Sequence, residues 1–189
     1  MRAVAARLAA ARLAAFALAL AILLPAVAPR EAAAHSASDA YLNLSVDDTD
    51  TRDVLIHGQW DIALRDLDFV LHLDDDGDGR LTWGEVRRHQ ASIERLAYAS
   101  LHLGGSLRTR GGSCSIKPVR QMIDEHADGA YASLFFDATC ARSVHKLTLD
   151  YRLFFAIDPS HRGIFVMRSG ANVATAVLSP GNARIELSL

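Results

Sequence analysis

Cysteine is scarce in this chain: Cys114 and Cys140 are its only two in 189 residues, and they form no C-x-x-C pair. A thiol metal site or redox switch is therefore disfavoured. Catalytic signatures are also missing. There is no G-x-S-x-G, no H-E-x-x-H, no phosphate-binding loop and no dinucleotide fingerprint, and the spacing of Ser, His and Asp supports no triad. The expectation is a protein that is not an enzyme. Basic excess is absent too. The whole chain carries 20 Lys+Arg against 22 Asp+Glu, with no basic patch, which gives it no electrostatic reason to bind nucleic acid or anionic lipid. Beyond the N-terminal region no apolar run is long enough to span a membrane, and no internal repeat or long low-complexity linker interrupts the chain.

The N-terminus reads as a secretory signal. Arg2, Arg7 and Arg12 supply positive charge, residues 13–28 are apolar apart from Pro25, and Ala32-Ala33-Ala34 gives a small-residue cleavage pattern. Residues 1–34 are expected to be removed, leaving His35 as the mature start. No cysteine sits near that point, so a lipid anchor is not expected. The alanine-rich style with arginines is bacterial, and the destination is expected to be the periplasm. Without residues 1–34 the chain keeps 16 Lys+Arg against 21 Asp+Glu, a formal charge of −5. In that oxidising compartment Cys114 and Cys140 are expected to form one bridge, stabilising the fold by roughly 3–4 kcal/mol through loop closure.

The chemistry of the chain concentrates in Asp74-Asp75-Asp76-Gly77-Asp78-Gly79-Arg80-Leu81-Thr82-Trp83-Gly84-Glu85. This matches the twelve-residue EF-hand calcium loop at each diagnostic position. Asp74, Asp76 and Asp78 take positions 1, 3 and 5, and Gly79 at position 6 allows the sharp turn. Arg80 offers its backbone carbonyl at position 7, Thr82 ligates directly or through water at position 9, and Glu85 closes the set at position 12. Calcium needs six to eight oxygens, and one loop of this spacing can wrap around it. Trp60, Leu64, Leu67 and Leu71 recur at helical spacing before the loop, with Asp61 as a cap. Val86, Ile93, Leu96, Ala97 and Leu101 do so after it. Helices are predicted over about 61–72 and 83–102, the second stopped by Gly104-Gly105. EF-hands usually pair, yet the other acidic stretch, residues 47–53, lacks the sixth-position Gly and the final Glu. A lone loop has to be braced by the rest of the domain or by a second molecule.

The remainder is strand-like. Residues 41–46 and 54–60 precede the helices; 113–123, 130–136, 146–157, 163–167 and 174–178 follow, separated by turn signals such as Asp128-Gly129, Asp158-Pro159 and Ser169-Gly170. The pattern predicts a single mainly-β domain over residues 35–189. It is an antiparallel, immunoglobulin-like β-sandwich with a helix–loop–helix inserted at about 61–102, so α+β overall. The cysteines flank the Asp128-Gly129 turn, as a bridge between neighbouring strands requires.

The histidines leave one alternative open. A mature N-terminal His35 could chelate copper through its α-amino group and imidazole, given a second ligand such as His57, His102, His126, His145 or His161. That would make the protein a periplasmic transition-metal carrier. The bland readings are an incidental terminal histidine, half-exposed strand histidines at 57 and 145, and a turn histidine held by hydrogen bonds at 161. Asp66 and Asp68 read as a solvated helix face, and Trp60 and Trp83 as core anchors.

In this order the motifs resemble a known group. Ser38-Asp39-Ala40-Tyr41-Leu42, residues 58–68 (GQWDIALRDLD), the loop through Leu81-Thr82-Trp83-Gly84-Glu85, the paired Cys114 and Cys140, Tyr151-Arg152-Leu153-Phe154-Phe155 and residues 157–163 (IDPSHRG) together cover most of the mature chain. They resemble the exported EF-hand-bearing N-terminal domain of the HupE/UreJ-type bacterial membrane proteins. Such relatives often continue into a multi-helix membrane domain associated with metal-ion transport, which the sequence through Leu189 does not contain. The resemblance therefore implies an exported calcium module acting beside a membrane-protein partner, not transport.

Overall fold

A computed structural model describes residues 38–47, 53–105, 112–141 and 143–189. The expected signal segment 1–34 and His35 lie outside the described residues. Among the described residues, nine strands form two sheets. β1 (Asp39–Asp47), β2 (Asp53–Ala63), β4 (Ser115–His126), β5 (Gly129–Ala141), β7 (Arg162–Ser169) and β8 (Asn172–Leu178) make a six-stranded sheet in the order β4-β5-β2-β1-β7-β8. β3 (Leu101–Gly105), β6 (Lys146–Tyr151) and β9 (Arg184–Ser188) make a second sheet in the order β3-β6-β9. The result is the expected mainly-β sandwich. One pairing departs from antiparallel: β1 runs parallel to β7, with Leu42 opposite Phe165.

Alternation explains the core. On β1, Ala40, Leu42 and Leu44 point inward; on β2, Val54, Ile56, Trp60 and Ile62 do; on β5, Ala132, Leu134, Phe136 and Ala138 do. From the smaller sheet come Leu101, Leu103, Leu147, Leu149 and Tyr151. The Trp60 and Tyr151 rings meet at 5.5 Å. At Gly58 the Phe136 ring occupies the place of a side chain, since a Cβ there would lie 2.1 Å from it.

Between β2 and β3 the chain forms α1 (Leu64–Leu71), α2 (Trp83–Arg88) and α3 (Gln90–Ala99). Leu64, Leu67, Val86, Ile93 and Ala97 are buried in the same core as the strands. The helices therefore rest on the sandwich rather than standing away from it.

Several boundaries differ from the expectations. Residues 61–63 belong to β2, so Asp61 is a strand residue, and α1 starts from Ala63 without a side-chain cap. Residues 83–102 are not one helix: the chain breaks at His89, and Leu101–Gly105 pairs with β6 as β3. There the period-two burial of Leu101 and Leu103 outweighs the helical spacing, and Gly104-Gly105 is a strand end. β6 stops at Tyr151; turns follow, with Phe154 in the left-handed region at φ 58. β9 was not anticipated. Trp83 is 47% exposed and is not a core anchor, whereas Trp60 is fully buried.

Cys114 and Cys140 form the expected disulfide, joining the approach to β4 with the far end of β5. No described helix is long and apolar enough to cross a membrane.

Candidate metal centre

The loop between α1 and α2 is shaped by its own side chains. α1 ends at His72, in the left-handed conformation, whose N–H donates to the Asp68 carbonyl. Asp68 Oδ1 then accepts from the amides of Leu73 and Asp74 at 2.7 and 3.1 Å. Asp68 is thus the clamp between helix and loop, not a solvated face. Buried Leu73 anchors the loop's entry.

Within the loop, Asp74 Oδ1 accepts from the Gly77 amide and Oδ2 from the Gly79 amide, each at 2.8 Å. Asp76 accepts from the Asp78 amide at 3.1 Å, and Asp78 from the Arg80 amide at 2.8 Å. Gly77 and Gly79 take φ values of 74 and 77, conformations that glycine adopts without strain. Carboxylate oxygens of Asp74, Asp76 and Asp78 come within 4.8 Å of one another, so these three residues are placed to hold a metal ion. Three like charges this close repel, which a cation between them would reverse.

Glu85 joins the same loop from α2. It is 2% exposed. Its Oε2 accepts from the Thr82 amide at 2.8 Å and hydroxyl at 2.7 Å, its own amide donates to Thr82 Oγ1, and its Oε1 accepts from the Asp75 amide at 3.1 Å. This is a capping box, which starts α2 and turns the Glu85 carboxylate toward the beginning of the loop. The Thr82 hydroxyl is engaged in that cap. Arg80 is exposed, and the position-7 group of interest is its carbonyl.

The electrostatics follow the hydrogen bonds. The Gly79 amide, helped by that of Gly77, holds the Asp74 carboxyl below its usual range, and the Thr82 amide and hydroxyl do the same for Glu85. At Asp76 the Asp78 amide pulls the pKa down, but the Asp78 charge, desolvation and Glu85 outweigh it, and the net direction is up. Asp75 points outward. His89 Nε2 and Arg88 Nε each lie 2.8 Å from its oxygens, and these two partners lower its pKa. They tie the loop's second residue to the break between α2 and α3.

The loop meets the rest of the domain through buried Leu73 and half-buried Leu81. Gly79 and Leu81 line a cleft of about 310 Å³ together with Asp128 to Tyr131 of the β4–β5 hairpin and Asp68 of α1. Leu81 packs against the core.

The described histidines weighed as copper ligands do not join this cluster. His57 pairs with Asp137 at 2.7 Å, His126 stacks on Tyr131 at 4.2 Å, and His102 and His145 are exposed. His161 is buried, with Nδ1 2.7 Å from Ser38 Oγ and Nε2 2.8 Å from the Tyr151 hydroxyl. Ser38 donates to Asp66 Oδ2 at 2.9 Å, so its proton is committed to the carboxylate. The group ties β1, α1 and the turns after β6 together. Asp66 is therefore a partner in a network rather than a solvated group. His35, on which the copper alternative depends, lies outside the described residues. No protein-family model matches this chain, and no curated protein matches it.

Proposed function

We propose that this chain is an exported, non-enzymatic calcium-binding module built on a single EF-hand. The observation that carries the reading is the convergence of Asp74, Asp76 and Asp78 to within 4.8 Å, with Glu85 drawn to the same loop by the Asp75 amide. The donor set is wholly oxygen, which suits a hard cation. Asp74, Asp76, Asp78, the Arg80 carbonyl and Glu85 would hold the ion. Thr82, its hydroxyl used in the cap, would act through water. The ion supplies positive charge between carboxylates that otherwise repel one another.

Burial of the flanking helices in the core supports a calcium that holds the loop to the sandwich, rather than one that opens a groove. The signal pattern and the disulfide support a periplasmic location. The resemblance to HupE/UreJ-type proteins supports a membrane-protein partner beside which the module acts. The test is thermal unfolding with and without calcium. Bound ion stabilises the folded state by mass action, so calcium should raise the melting temperature of the wild type, and Glu85→Gln should lose most of that rise. An equal rise in the variant would refute the site.

A further inference from the structure

The six-stranded sheet ends in two edge strands, β4 and β8. An open edge presents unpaired backbone N–H and C=O groups to any strand that approaches, and edges are commonly blunted by charge, proline or a bulge. β4 carries all three. Lys117, Arg120, Asp124 and Glu125 lie along it, Pro118 removes an amide, and its register slips between Pro118 and Arg120. β8 carries none of them. It reads Asn-Val-Ala-Thr-Ala-Val-Leu, and its pairing with β7 is regular throughout. Among the described residues β7 is its only strand neighbour.

The residues of β8 also say which strand fits it. Residues 173–177 are Val-Ala-Thr-Ala-Val, the same in both directions. Two antiparallel copies related by a two-fold axis at Thr175 therefore set Val173 opposite the partner's Val177, Ala174 opposite the partner's Ala176, and Thr175 opposite the partner's Thr175. The match holds on both faces. Ala174 and Ala176 stand across from buried Met167 and Phe165 of β7, so they take the core side. Val173, Thr175 and Val177 take the outer side, where Val173 is 62% and Val177 54% exposed. Opposed valines would bury apolar surface that now meets water, and opposed threonines are favourable cross-strand neighbours.

Charge does not oppose the contact. Across the outer face one row would run Arg168, Val173, the partner's Val177, the partner's Ile164, and the central row Val166, Thr175 and the same two from the partner. The two Arg168 side chains fall in different rows, on strands about 14 Å apart, a separation at which salt screens them. At the end of the edge Asn182 Nδ2 donates to the Val177 carbonyl at 2.9 Å in an exposed bond, and a partner's amide can take that place. We propose that β8 is a homodimer interface, in which two chains pair their β8 edges antiparallel about Thr175 and join their six-stranded sheets into one. Each β8 edge is used once, so the assembly closes at two chains. The paired edge is short, and its association is of the weak, concentration-dependent kind that small interfaces give.

The test is sedimentation equilibrium of the purified protein over a concentration series, with amide exchange followed in the same samples. The wild type should pass from one chain to two and no further, and exchange across residues 173–177 should slow as the dimer forms. Thr175→Lys sets two like charges face to face on the axis and should weaken association about tenfold or more. Register is tested at the outer positions. Val173→Lys or Val177→Glu alone should weaken association, because each sets a charge against a valine. The double variant should recover most of the loss, because the introduced lysine then faces the partner's introduced glutamate. These positions are exposed, so each variant should keep the melting temperature of the dilute wild type to within a few degrees. The proposal is overturned by a chain that stays monomeric at every concentration, by growth beyond two chains, by undiminished association of Thr175→Lys, or by a double variant that associates no better than either single one.

Discussion

His161 shows how much one side chain contributes here. Burial pushes its pKa down to about 4 from the usual 6.5, against the raising influence of Asp66 and Asp158 and with the help of Arg162. Tyr151, its other neighbour, stays protonated because burial raises its pKa. Above pH 6.5 the folded and unfolded chains both carry a neutral histidine, and the full stability is present. As pH falls from 6.5 toward 4 the unfolded chain binds a proton that the folded one refuses, so stability is lost, by up to about 3 kcal/mol. Urea midpoints should drop between pH 7 and pH 5, and His161→Gln should reduce that drop. An identical drop in the variant would show that other groups govern it. Little of this network could be read from sequence. A turn histidine with hydrogen bonds was legible, but Ser38 lies 123 residues away, and only the β1–β7 pairing brings it close. Asp68 was missed for a different reason: its role is to accept loop amides, which no helical periodicity reveals.

At the scale of elements, the loop was the most legible part, because its chemistry is local. Twelve consecutive residues specify their own turns through Asx-type hydrogen bonds and two glycines in left-handed conformations. The inward-alternating strands were legible for the same kind of reason. What failed were the junctions. The strand–helix change at Ala63 carries no cap, and Leu101–Gly105 continues a helical spacing until β6 claims it. β9 buries only two of its five residues, and those only partly, which leaves a weak pattern. The disulfide belongs to this scale, holding β4, an edge strand with a bulge near Pro118, to β5. Replacing both cysteines with serine should cost about 3–4 kcal/mol for a separation of 26 residues in the chain-entropy model. The disruption should be greatest along β4. Denatured protein purified without reductant should show no free thiol; two labelled thiols would contradict the bridge.

For the whole molecule, one feature bears on how calcium, if bound as proposed, would act. α1 and α3 share their buried faces with the sandwich core, so opening them would expose Leu67, Ile93 and Ala97. An ion that fastens the loop should therefore slow amide exchange across residues 64–71 and 83–99. Faster exchange at the buried faces on adding calcium would instead mark a switch that frees a groove for an amphipathic helix. Affinity should be in the weak range of extracellular modules, about 0.1–1 mM, since the other acidic stretch, residues 47–53, lacks the sixth-position Gly and final Glu of a pairing loop. The most direct test is calcium stoichiometry by equilibrium dialysis against millimolar calcium, for the wild type and for a variant carrying Asp74→Asn and Glu85→Gln. The account predicts one calcium per wild-type chain and none above background in the variant. No bound calcium in the wild type, or one equivalent retained by the variant, would contradict it.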